Sequence, residues 1–172
     1  ESTIGWWANS AALLADAAHN LGDVLGLGLS LLAVALGSRQ PTARLTWGYR
    51  RSSVLVALVQ ALALLALVVF TVWEGLERLL IPTPVHSTAI IITALIGIGI
   101  NSATAMMLHR HDQNDLNVRG AFLHMIGDAA VSAAVVVSGV IISYTAWFWI
   151  DPVISFVIAG GILTSTWGLL IK

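Results

Sequence analysis

Apolar residues along this chain do not alternate and do not form narrow stripes. They run in long uninterrupted blocks separated by short polar segments. A block of at least about 18 residues with few charges reads as a membrane-crossing helix. Five such blocks are present, from about Ser10 to Gly37, Ser52 to Ile81, Ser87 to Leu108, Leu116 to Tyr144, and Phe148 to Ile171. Ser10 is placed to cap the first, and Gly37, Ser38 and Pro41 mark its stop. The second ends before Pro82 and Pro84. Glu1 to Asn9 is too short to span. It reads as the tail of a preceding helix that ends in an interfacial aromatic pair, Trp6 and Trp7.

Composition sharpens this picture. Hydrophobic residues make up 58% of the 172 and charged residues only 10%, with mean hydropathy +0.88. A soluble domain of this size has too little polar surface here to cover its core, so the bilayer is the expected solvent. A net charge of −1 gives no electrostatic footprint for nucleic acid. The absence of cysteine excludes disulfides and thiolate metal sites. Neither an initiator Met nor a signal-peptide pattern opens the chain, and it reads as a piece of something longer.

Charge placement predicts a sidedness. Arg39, Arg44, Arg50, Arg51, Arg110, Arg119 and Lys172 fall on one side of the spans, and only Arg78 on the other. The positive-inside rule makes the first side cytoplasmic. The C-terminus is then cytoplasmic and the residues before Ser10 exoplasmic.

A few ionisable residues interrupt the apolar blocks, and such residues are functional candidates by default. The first span contains His19-Asn20-Leu21-Gly22-Asp23 and the fourth His124-Met125-Ile126-Gly127-Asp128, the same H-x-x-G-D pattern 105 residues apart. Residues four apart on a helix differ by about 40° in azimuth and about 6 Å in rise, so each His shares a face with its Asp. One helix can then offer an imidazole nitrogen and a carboxylate oxygen to one cation. Two helices supply the four ligands of a tetrahedral zinc site.

Depth gives a separate check. Counting inward at about 1.5 Å per residue puts His19 roughly 12 Å and Asp23 roughly 18 Å from the outer edge. The antiparallel fourth span puts Asp128 roughly 14 Å and His124 roughly 20 Å from that edge. His19 is thus expected level with Asp128, and Asp23 with His124. The glycines beside the aspartates are expected to permit close backbone approach.

Other polar residues read more plainly. Asp16 lies on the face of Asp23, nearer the outer surface, and stays outside the ligand set. Glu74 and Arg78 are spaced for a local ion pair. Asn101, Ser102 and Thr104 are placed to bond between helices. His109 and His111, in the loop His109-Arg110-His111-Asp112, could deliver metal from the cytoplasm, and His86 has no ligand partner at useful spacing.

The run from Ser10 through Asp16, His19 and Asp23 resembles the second transmembrane helix of the cation diffusion facilitator family. Trp47-Gly48-Tyr49-Arg50-Arg51, the stretch Glu74 to Pro82, the stretch Asn117 to Asp128, and Trp149-Ile150-Asp151-Pro152 are similar to further family motifs, in order. The resemblance implies an all-α integral membrane bundle of six helices, with the first represented by its C-terminal tail. It implies that His19, Asp23, His124 and Asp128 form the transport site. It further implies a homodimer in the cell membrane that exports Zn²⁺ in exchange for protons by alternating access, without a resident cofactor. A cytoplasmic metal-binding domain normally follows the sixth helix, and this chain stops at Lys172 before it. The loop Ser38 to Thr46 has no His or acid, so no additional site is expected there.

The alternatives are Co²⁺ or Cd²⁺ as substrate, an intramembrane metallohydrolase, or a bis-histidine haem protein using His19 and His124. Four protein ligands leave no open position for an activated water, and no H-E-x-x-H occurs. A haem would leave the two aspartates without a role. A transporter, not an enzyme, is the expected class.

Overall fold

The computed structural model describes residues 1–37, 52–110 and 115–170, and every element among them is a helix. A short α1 (Ser2–Trp7) precedes five long helices: α2 (Ala11–Gly37), α3 (Ser52–Leu80), α4 (Ser87–His109), α5 (Leu116–Thr145) and α6 (Ile150–Leu170). Four of them, α2 to α5, are long and apolar enough to cross a membrane, and α6 carries a shorter apolar segment, Ile150–Thr164. Helices suit this solvent because every backbone polar group is bonded within its own segment. The chain is an integral membrane bundle.

Local chemistry sets the helix ends. Ser10 Oγ accepts from Leu13 N at 3.1 Å, the bond an N-cap serine makes to the third helical residue. Asp115 does the same office for α5, accepting from Asn117 N at 2.8 Å. At the far end of α5, Ala146 takes a left-handed conformation at φ 54°, and its N–H closes on Ile142 O. Asn9, at φ 56°, makes the sharp turn between α1 and α2, a conformation asparagine tolerates better than most residues.

The helices are unevenly packed. The α4–α5 contact is the most extensive; α3 lies against both α2 and α6, α2 also meets α6, and α5 touches α2 only narrowly. The core gathers where α2 begins: Ala8, Ala12, Leu13, Ala15, Ile90, Ala94, Val135 and Ile158 are buried there together. Alanines let α2 be enclosed on all sides over this stretch, because small side chains bring helix axes close. From Val24 onward α2 is mostly exposed, at Leu27, Leu31 and Val34 among others. α2 is enclosed near its start and largely exposed toward its other end.

Candidate metal centre

His19 and Asp23 project from α2, and His124 and Asp128 from α5, each pair one turn apart. The structure brings all four together across the narrow α2–α5 contact. His19 Nε2 stands 3.1 Å from Asp128 Oδ1, and His124 Nε2 stands 3.2 Å from Asp23 Oδ2. Within each helix the corresponding distances are 3.8 Å for His19–Asp23 and 3.7 Å for His124–Asp128. Histidine and aspartate therefore alternate around a ring of four, with His19 facing Asp128 and Asp23 facing His124, as the depth count expects. The imidazole planes of His19 and His124 meet edge to face at 6.0 Å.

Four of the six edges of a tetrahedral shell can be set against these distances. A tetrahedral zinc with bonds of about 2.1 Å has donor–donor edges of about 3.4 Å. The four observed N···O separations bracket that value. Donor atoms of His19, Asp23 and Asp128 all lie within 4.8 Å of one another, and His124 joins them through Asp23 and Asp128. Asp128 offers a different oxygen to each ring, so a modest rotation of that carboxylate turns the ring toward one centre.

Exposure is graded across the site. Asp128 is 4% exposed and His19 16%, whereas Asp23 and His124 reach 35% and 45%. The more open pair lies toward the exposed end of α2. A cavity of about 620 Å³ adjoins the site, lined by the four polar residues and by apolar side chains such as Leu64, Val131, Ile158 and Ile162. Gly127 also lines it, and a methyl group there would meet nothing within 4 Å. Gly22 faces the end of the Leu64 side chain. Neither glycine brings two backbones together; Gly127 instead keeps space open beside Asp128.

The remaining polar residues are also placed. Asp16 is wholly buried one turn before His19, and Ser132 of α5 donates to its Oδ2 at 3.1 Å. That bond is a second tie between α2 and α5. Arg78 pairs with Glu74 at 3.0 Å, the expected local ion pair. Thr104 donates to Ile100 O of its own helix rather than across to a neighbour, because a threonine hydroxyl reaches the preceding turn of its own backbone. His109 ends α4 and packs its ring against Phe122, while His111 lies outside the described residues. His86 stacks on Trp7. Arg39, Arg44, Arg50, Arg51 and Lys172, which carry most of the charge asymmetry, are likewise outside the described residues.

A helical membrane bundle with two imidazoles and two carboxylates meeting at its centre defines a class, the polytopic membrane proteins with an intramembrane polar cluster. The family is more specific. The cation efflux transmembrane domain matches residues 1–172, and the chain belongs to that family. It is 38% identical over 167 residues to the zinc transporter ZitB of Escherichia coli (strain K12), covering 96% of this chain and 53% of that protein. ZitB of Pectobacterium atrosepticum matches at 38% identity over 96% and 52%. The cadmium, cobalt and zinc/H(+)-K(+) antiporter of Bacillus subtilis (strain 168) is 34% identical, over 96% of this chain and 54% of its own. The chain spans about half the length of these curated relatives.

Proposed function

We propose that the chain is the membrane-embedded transport unit of a Zn²⁺/H⁺ antiporter, with His19, Asp23, His124 and Asp128 as the zinc ligands. One observation carries this reading: the alternating ring of imidazole nitrogens and carboxylate oxygens, with N···O separations from 3.1 to 3.8 Å around the tetrahedral edge length. Relatives named as zinc transporters and as a cadmium, cobalt and zinc antiporter support the substrate class. Co²⁺ and Cd²⁺ are the secondary substrates. Both imidazole Nε2 atoms face carboxylates, an arrangement that suits a cation and gives no support to a haem or hydrolase reading.

Proton coupling follows from the same ring. In the absence of a cation, a proton on each His–Asp contact satisfies both partners. Zinc binds only deprotonated ligands, so its arrival expels those protons and reprotonation releases it. The exposed pair, Asp23 and His124, lies toward the side that the basic residues mark as cytoplasmic. We read the structure as a state open to the cytoplasm, with the closed core around Ala12 and Ile90 as the exoplasmic barrier. A homodimer in the cell membrane is part of the same proposal.

The test is zinc titration of purified protein. Two-histidine, two-carboxylate binding is expected in the parent. Unchanged affinity after replacing any two of the four residues singly by Ala contradicts the ligand set.

A further inference from the structure

Asp151 is fully buried at the start of α6, yet it lies far from the metal centre in sequence and takes no part in it. Its carboxylate is committed to another helix. Oδ1 accepts from Ser10 Oγ at 2.5 Å, and Oδ2 accepts from the backbone N–H of Ala11 at 2.5 Å and of Ala12 at 3.3 Å. Ser10 in turn caps its own helix through Leu13 N. One side chain of α6 therefore satisfies the first free N–H groups of α2, groups that a bilayer leaves without other partners. The same carboxylate sits in the first turn of α6, so two positive helix ends meet on it.

The geometry points to Asp151 as a positioning residue for the metal centre. It ties the outer end of α2 to α6 and so fixes the height and rotation of His19 and Asp23. A helix is stiff, and Ala11 lies only about 12 Å from His19 and about 18 Å from Asp23 along the axis. The α2–α5 contact at the site is narrow, so the placement of the α2 ligands depends on how that helix is held elsewhere. Two buried polar ties hold it: Asp151 at its start and the Asp16–Ser132 bond midway. Ser10, whose hydroxyl both caps α2 and reaches α6, joins capping to tethering. This inference rests on the four-ligand reading of the metal centre.

Cobalt serves as the probe, because tetrahedral Co²⁺ has intense visible d–d bands that weaken when its shell loosens. The full chain in detergent is titrated with Co²⁺ as the parent, as Asp151→Ala, and as Asp151→Ala combined with Ser10→Asp; thermal unfolding is followed in parallel. Ser10→Asp supplies a new carboxylate cap to α2, but Ala at position 151 gives it nothing on α6 to hold. Asp151→Ala is expected to weaken Co²⁺ binding by at least about tenfold and to lower band intensity. The added Ser10→Asp is expected to recover thermal stability and not affinity.

Unchanged affinity in Asp151→Ala overturns the inference. Recovery of affinity together with stability overturns it too, because Asp151 would then be only a helix cap. Should Asp151→Ala fail to fold, Asp151→Leu, which has a similar branched shape and no acceptor, carries the expectation of weaker Co²⁺ binding, and parent affinity there overturns it. A parent protein with no tetrahedral band contradicts the metal-site reading itself, a result distinct from these.

Discussion

His19 and Asp128 are the more enclosed adjacent pair of the ring, and Asp23 and His124 the more open one. In the proposed site each offers a donor atom, so removing any one would leave three ligands and an orphaned partner in a low-dielectric setting. His19→Ala, Asp23→Ala, His124→Ala and Asp128→Ala are each expected to lower zinc affinity by well over about tenfold, the lower bound for losing even a supporting contact. Isothermal titration of each variant checks this. The proposal places metal choice at the same scale. His19→Asp exchanges a directional nitrogen for a carboxylate that binds through one oxygen or two, which loosens the shell. Transport of Cd²⁺ relative to Zn²⁺ is expected to rise in that variant. A constant or falling ratio would place selectivity in helix packing instead. The two H-x-x-G-D pairs were legible because helical spacing puts each His over its Asp. The contacts of Ser132 and Asp151 were not, although Asp151 stands in a motif the sequence shares with the family, since a single serine or an acid at a helix start carries no period. Their meaning appears only when α5 and α6 lie beside α2.

At the scale of the element, the apolar blocks were enough to locate the long helices, because an uninterrupted apolar segment of that length satisfies its own polar groups in lipid only as a helix. Their partners were not legible. In a bilayer the lipid-facing side is as apolar as the buried side, so hydrophobicity does not say which face meets which helix. Small residues carry that information instead. Gly139 of α5 packs on α4, where an added Cβ would stand 2.9 Å from Ile91 Cγ1 and 3.3 Å from Ile90 Cγ2. Both neighbours are β-branched and stiff. Gly139→Ala is therefore expected to cost about 1–3 kcal/mol by overpacking the α4–α5 contact, lowering the thermal unfolding midpoint. Gly99→Ala on α4, where nothing lies within 4 Å, is the matched control and should leave the midpoint unchanged or raise it slightly.

For the whole molecule, the enclosed end and the exposed end of α2 matter most. Sequence charge asymmetry supplies a direction, and the structure supplies the asymmetry of packing, which no linear pattern contains. Together they agree with the proposed access to the site from one side in this state. If protons and zinc compete for the same four groups, as proposed, zinc affinity falls as pH falls, because the ligands must be deprotonated to bind. Titration at two pH values reads this directly, with tighter binding at the higher one. The decisive measurement is zinc uptake into sealed vesicles carrying the protein, followed by an internal zinc dye with and without an imposed pH gradient. Exchange of Zn²⁺ for H⁺ predicts that an acidic interior accelerates zinc entry, that a protonophore removes the acceleration, and that Asp128→Ala abolishes uptake. Zinc entry that depends on Asp128 but is the same with and without the gradient would contradict proton exchange and make the protein a uniporter.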